Sequence, residues 1–231
     1  MIPLRDNIPS KTFPIVTYVL IGLNIAAFVY EISLGPNLEG FFNVFGVVPE
    51  RTMTIVTSAP RYVFYAAFPF FTSIFLHGGW LHLLGNMLYL YIFGNNVEDA
   101  LGRSRYVVFY LACGIAASVL HLATNPTSNI PTIGASGAIA GVMGAYFLLY
   151  PRAKVVTIVP IFFFIQIIEI PAFFFLGFWF LIQFASGSIS LMSQGGAYSG
   201  VAWWAHIGGF LAGSGYVVYR FGKRILKRDK N

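Results

Sequence analysis

Ser136 lies in Gly134-Ala135-Ser136-Gly137, at the start of an apolar stretch that carries no charge before Arg152. A hydroxyl at the mouth of a membrane-length apolar segment is costly unless it caps a helix or reacts. A second such stretch opens on a lone imidazole, His206, in Ala205-His206-Ile207-Gly208-Gly209. Serine and histidine together supply a nucleophile and the base that takes its proton. The remaining requirement is a set of donors for the developing oxyanion. His82 and Asn86, four residues apart, share one helix face and both carry N–H groups. No Asp or Glu stands near enough in sequence to orient the imidazole. The acids on that side are Glu31, Glu39 and Glu50, all in a connecting segment. The pattern implies a Ser–His dyad rather than a triad.

Each residue also has a plainer reading. Serine at a helix start is often only an N-cap. A solitary membrane histidine often bonds a neighbour, and His121 is assigned to that class. His77, five residues before His82, reads as a hydrogen-bonding residue of a loop. Four histidines could ligate a metal. Without a His-Glu-x-x-His helix or an acidic ligand at the same depth, neither a metal nor any other cofactor is expected.

The elements that hold these residues are set by composition. Hydrophobic residues make up 57% of the chain and charged residues only 10%, against about a quarter charged in soluble domains. No charge occurs between Tyr62 and Val97, between Tyr106 and Pro151, or between Ile170 and Tyr219. Each run exceeds what one helix needs to cross a hydrocarbon core of about 30 Å. The chain reads as one all-α, polytopic membrane domain. A cleavable signal peptide is not expected, because Pro9, Pro14 and an apolar run reaching Tyr30 do not fit its short core. Cys113 falls mid-helix and reads as packing. The net charge of +6 comes with a cluster of cations from Arg220 to Lys230. Directly after an apolar stretch, such a cluster suits anionic headgroups rather than nucleic acid.

Six spans are expected: Phe13 to Tyr30, Leu81 to Val97, Tyr106 to Ala123, Ala135 to Tyr150, Pro171 to Ser186 and Val201 to Tyr219. Val155 to Ile168 is apolar enough to be a seventh, but Pro160 interrupts it, and it reads as an interfacial loop. Six spans put both termini in the cytoplasm and leave only Arg51 and Arg61 outside, so 12 of 14 Lys and Arg are inside, as the positive-inside rule favours. The second, fourth and sixth spans then run the same way, bringing His82, Asn86, Ser136 and His206 to the outer third of the bilayer. The segment from Glu31 to Ala67, rich in aromatics, is expected to lie partly in the outer interface. Ser136, Gly137, Ala140, Gly141 and Gly144 line one face of the fourth span. Ala205, Gly208, Gly209, Ala212 and Gly213 line one face of the sixth. Small residues at this spacing let backbones approach closely.

His77-Gly-Gly-Trp-Leu-His82-Leu-Leu-Gly-Asn86, Gly134-Ala-Ser136-Gly137, Ala205-His206-Ile-Gly208-Gly209 with Gly213, and Glu98-Asp-Ala-Leu-Gly102 together resemble the rhomboid intramembrane serine proteases. The resemblance covers the whole six-span core. It implies a six-helix bundle with Ser136 as nucleophile and His206 as general base. His82, Asn86 and the Ser136 backbone N–H would form the oxyanion site, with His77, Gly134, Gly137 and Gly209 as structural neighbours. It also implies single-pass transmembrane substrates cut near their outer ends, in a lipid bilayer, without metal or nucleic acid. The expected setting is the plasma membrane of a prokaryote. Two departures stand out. Phe68-Pro69 occupies the place of a Trp-Arg pair, and Ala140 stands four residues after Ser136, where some members stack an aromatic ring on the histidine. His206 is therefore expected to be held by helix packing rather than by a ring. A proteolytically inactive binder of membrane clients, or a small transporter lined by His82, Asn86 and His206, would be the alternatives.

Overall fold

A computed structural model describes residues 1–161, 164–192 and 201–228. The chain is mostly helical. Strand β1 (Ile2–Asp6) precedes the long helix α1 (Ile15–Ser33). Short helices α2 (Leu38–Phe45), α3 (Pro49–Ser58), α4 (Val63–Ala67) and α5 (Pro69–Thr72) form the connection to α6 (Trp80–Leu101). Helices α7 (Arg103–Thr124) and α8 (Ser136–Leu149) come next. Strands β2 (Lys154–Ile161) and β3 (Phe164–Pro171) lead into α9 (Ala172–Met192) and α10 (Trp203–Arg228). A helix covers each of the six expected apolar segments. Helices α1, α7 and α9 are long and apolar enough to cross a membrane, and α8 is apolar but shorter. In lipid a helix satisfies its own backbone groups, which is why uninterrupted apolar sequence takes this form.

The all-α expectation needs amending. Val155 to Ile168, read above as a loop, is an antiparallel hairpin of β2 and β3, and β1 joins it to make a sheet of order β1-β2-β3. The run Val155-Val-Thr-Ile-Val159 is β-branched throughout, which stiffens χ1 and favours the pleated form. Its burial has the two-residue period of a strand, with Val155 and Thr157 both fully buried. Pro160 lies beyond the last β1 partner of β2, Ile158, where only two strands remain.

The sheet fastens to the C-terminal ends of α6 and α8. Asp6 of β1 accepts hydrogen bonds from the Tyr146 hydroxyl and from Asn96 Nδ2 at 2.7 Å. The Tyr150 hydroxyl donates to the Asn96 carbonyl at 3.2 Å. Nearby, Glu98 receives the Val16 N–H at 3.1 Å, the Thr17 N–H at 2.8 Å and the Thr17 hydroxyl at 2.8 Å. A buried carboxylate thus satisfies the open N–H groups at the start of α1, the end of a helix that favours negative charge.

Helices α7, α8 and α10 meet along a seam of small residues, but the faces divide differently from the sequence reading. A Cβ at Gly209 would collide with the Gly137 carbonyl oxygen, and one at Gly213 with that of Gly141. A Cβ at Gly208 would instead meet Leu120 at 2.9 Å, and one at Gly137 would meet Ala117 at 2.5 Å, both on α7. The pairing of 137 with 209 and of 141 with 213 makes α8 and α10 parallel. Their N-terminal ends gather with that of α6, where His82 lies.

Candidate active site

Ser136 is the first residue of α8, His206 the fourth of α10 and His82 the third of α6. The structure brings the Ser136 hydroxyl to 2.9 Å from His206 Nε2. The N-cap position of α8 falls to Ala135, so Ser136 is not the helix cap. Its hydroxyl is committed to the imidazole.

The loop that presents Ser136 is pinned from the long α1–α6 connection. The Gly134 N–H donates to the Ser73 carbonyl at 2.8 Å, and Val47 and Thr132 exchange both backbone bonds. Gly134 adopts a φ of +131°, a region L side chains rarely enter. A Cβ there would stand 2.8 Å from His82 Nε2 and 3.5 Å from Ser136 Oγ. The glycine therefore lets the His82 ring close on the backbone that presents Ser136, with no room for a side chain between them. The His82 Nδ1 accepts the Gly78 N–H at 3.4 Å, so the proton of the neutral ring sits on Nε2, the nitrogen on the Gly134 side. Asn86, one turn further along α6, is buried, and its Nδ2 has no hydrogen-bond partner among the described residues. The Ser136 N–H belongs to the first turn of α8 and has no carbonyl partner within the helix. Three N–H groups thus belong to this end of the bundle.

His77 is a hydrogen-bonding residue of the loop. Its backbone N–H, not its ring, makes the bond, to both carboxylate oxygens of Glu31 at 3.2 Å. Glu31 itself is no loop residue, because α1 runs on to Ser33 and buries it. The His77 ring packs edge-on to His82 with centroids 5.1 Å apart. Burial first, and His82 second, hold its imidazole down at about 4, so it presents a neutral edge to His82. His121 lies 3.5 Å from Asn125 Nδ2 through its Nδ1.

Two features of the site went unforeseen. His206 is flanked by rings after all: Trp179 at 5.8 Å with a tilt of 37°, and Trp203 edge-on at 6.4 Å. These come from α9 and α10, not from the position four residues after Ser136. The other is Gln183 of α9, a buried amide whose Oε1 lies 2.7 Å from His206 Nδ1. It is the one side-chain amide between Pro171 and Met192, which was the available signal.

The profile of the Rhomboid domain family matches residues 66–223, more than half of the chain. The chain belongs to the rhomboid family. Among its relatives, mitochondrial Rhomboid protein 1 of Saccharomyces cerevisiae is 29% identical over 166 residues, 68% of this chain and 44% of that protein. The Rhomboid protease GluP of Bacillus subtilis is 44% identical over 79 residues, 34% of this rhomboid and 15% of its relative. The mitochondrial Presenilin-associated rhomboid-like protein of Mus musculus is 29% identical over 156 residues, covering 65% and 37%. This rhomboid spans less than half the length of these relatives. Its apolar helices and its family make it a membrane protein, and two of these three relatives are mitochondrial, so the prokaryotic plasma membrane expected above is not supported.

A serine hydroxyl bonded to an imidazole, beside an Asn86 amide with no hydrogen-bond partner among the described residues, has the parts for acyl transfer. None of these parts requires a metal.

Proposed function

We propose that this rhomboid is an intramembrane serine endopeptidase. The observation that carries the reading is the 2.9 Å contact between Ser136 Oγ and His206 Nε2. Ser136 Oγ attacks the scissile carbonyl while His206 Nε2 takes its proton. The negative charge that forms on the carbonyl oxygen is received by the Ser136 N–H, His82 Nε2–H and Asn86 Nδ2. His206 then returns the proton to the leaving amine. Water, activated by the same imidazole, hydrolyses the acyl-enzyme.

In this reading α1, α6, α7, α8, α9 and α10 all cross the bilayer with both termini in the cytoplasm, and the sheet lies on the cytoplasmic side. Helix α8 has 14 residues, about 21 Å at 1.5 Å per residue, against a core of about 30 Å. With its C-terminal end at the inner interface, Ser136 lies about 9 Å below the outer one. That depth suits a peptide bond near the outer end of a single-pass transmembrane substrate. Such a bond must leave its helix before it can be attacked, because a helical carbonyl is already engaged.

A fluorophosphonate probe tests this reading. The purified protein in liposomes is expected to be labelled at Ser136, as read by mass spectrometry of the modified peptide, and to lose activity toward a transmembrane substrate in step. Absence of labelling at Ser136 in active protein would assign the chemistry elsewhere.

A further inference from the structure

We propose that Gln183 is a positioning residue that sets the tautomer and orientation of His206, completing a Ser136–His206–Gln183 relay across three helices. The inference rests on the serine protease reading above and deepens it. Both ring nitrogens of His206 are engaged, Nε2 by Ser136 Oγ at 2.9 Å and Nδ1 by Gln183 Oε1 at 2.7 Å. An amide oxygen has only lone pairs to offer, so it accepts the Nδ1–H. With the proton on Nδ1, Nε2 presents its lone pair to Ser136, which is the form a base needs. The opposite tautomer would point an N–H at the serine and could take no proton from it. In soluble serine proteases a change that leaves geometry intact but favours the wrong tautomer drops kcat by about 10⁴.

No carboxylate is within reach of the ring among the described residues. An amide is the acceptor that a buried, apolar helix tolerates, since an unpaired carboxylate would be far more costly to desolvate. Gln183 is only 5% exposed and lies one turn beyond Trp179, whose ring faces the same imidazole. Helix α9 therefore meets His206 twice, by a ring and by an acceptor, while α8 carries the nucleophile and α10 the base. The readiness of the base depends on where α9 sits, although α9 carries neither reacting group.

The test compares Gln183→Leu, which keeps volume and removes the acceptor, with Gln183→Glu, which keeps an acceptor and adds charge. Both are measured in liposomes for kcat and KM across pH, for the rate of fluorophosphonate labelling at Ser136, and for thermal unfolding. Gln183→Leu is expected to lower kcat and the labelling rate together by about 10²-fold or more, with KM within about threefold of wild type. Gln183→Glu is expected to restore kcat to within about tenfold. A carboxylate beside the ring favours imidazolium, so the acid limb of the kcat profile moves to higher pH. A structural role alone would give neither the rescue nor the shifted limb. If Gln183→Leu labels and turns over like wild type, the proposal is overturned while the Ser136 reading stands. If wild type itself is not labelled, the underlying reading fails first. Should Gln183→Leu fail to fold, Gln183→Glu decides alone, and an unmoved acid limb refutes the relay.

Discussion

Gly209 rests on the carbonyl oxygen of Gly137 with no room for a Cβ between them. Gly137 follows Ser136 directly, and Gly209 comes three residues after His206, close to one helical turn. The backbone contact therefore lies immediately beneath the serine–imidazole pair and sets how far apart the two can be. Packing and chemistry meet at the same pair of glycines.

Enlarging that contact should injure both. Gly209→Ala is expected to destabilise the protein by about 1–3 kcal/mol, the usual result of overpacking, and to slow Ser136 labelling because the base is pushed away. Thermal unfolding in detergent and the labelling rate check it. A variant with wild-type melting and labelling would mean that α8 and α10 separate freely.

Removal of the nucleophile should be the most severe loss. Ser136→Ala is expected to abolish cleavage of a transmembrane substrate, with folding unchanged, since knocking out a triad serine in a soluble protease costs about 10⁶ in kcat. Turnover within tenfold of wild type, followed in liposomes, would take Ser136 out of the mechanism.

Much of this site was legible as residue types. Ser136, His206, His82 and Asn86 are conspicuous because polar side chains are rare in apolar helices, and the long helices themselves follow from hydropathy. Other parts were hidden for a physical reason. Gln183 and Trp179 acquire meaning only through a partner 23 and 27 positions away on another helix. Glu31 looked like a loop acid because the helix end was placed three residues early. The hairpin was masked by composition, since a β-branched strand and a membrane span are both apolar runs. Pairing of β1 with β2 is non-local, and no short-range signal announces it.

Loss of one oxyanion donor should be graded. His82→Ala and Asn86→Ala are each expected to lower kcat by about 10²–10³, roughly 3 to 4 kcal/mol, with KM little changed. Steady-state kinetics on a transmembrane substrate separate the two parameters. If KM alone rose, these side chains would be substrate contacts rather than stabilisers of the transition state.

Sidedness can be read from cysteine accessibility. In a Cys113→Ala background, Thr127→Cys is expected to react with an impermeant maleimide from outside, and Arg152→Cys only after the membrane is opened. The reverse pattern would invert the proposed topology and place Ser136 at the inner leaflet.

The sheet also imposes a timetable on synthesis. Strand β1 has a single ladder partner, β2, and Ile2 pairs with Ile158. At about 5–20 residues per second, the first strand waits roughly eight to thirty seconds for its partner to emerge. Asn96 and Tyr146, the partners of Asp6, are made within that interval, while the apolar side chains of Ile2 and Leu4 still lack a finished sheet. Strand β1 thus reaches its ladder pairing only after α8 has been made, although it precedes α1 in the chain. Helices α1, α6, α7 and α8 are all synthesised before this end of the bundle can be closed.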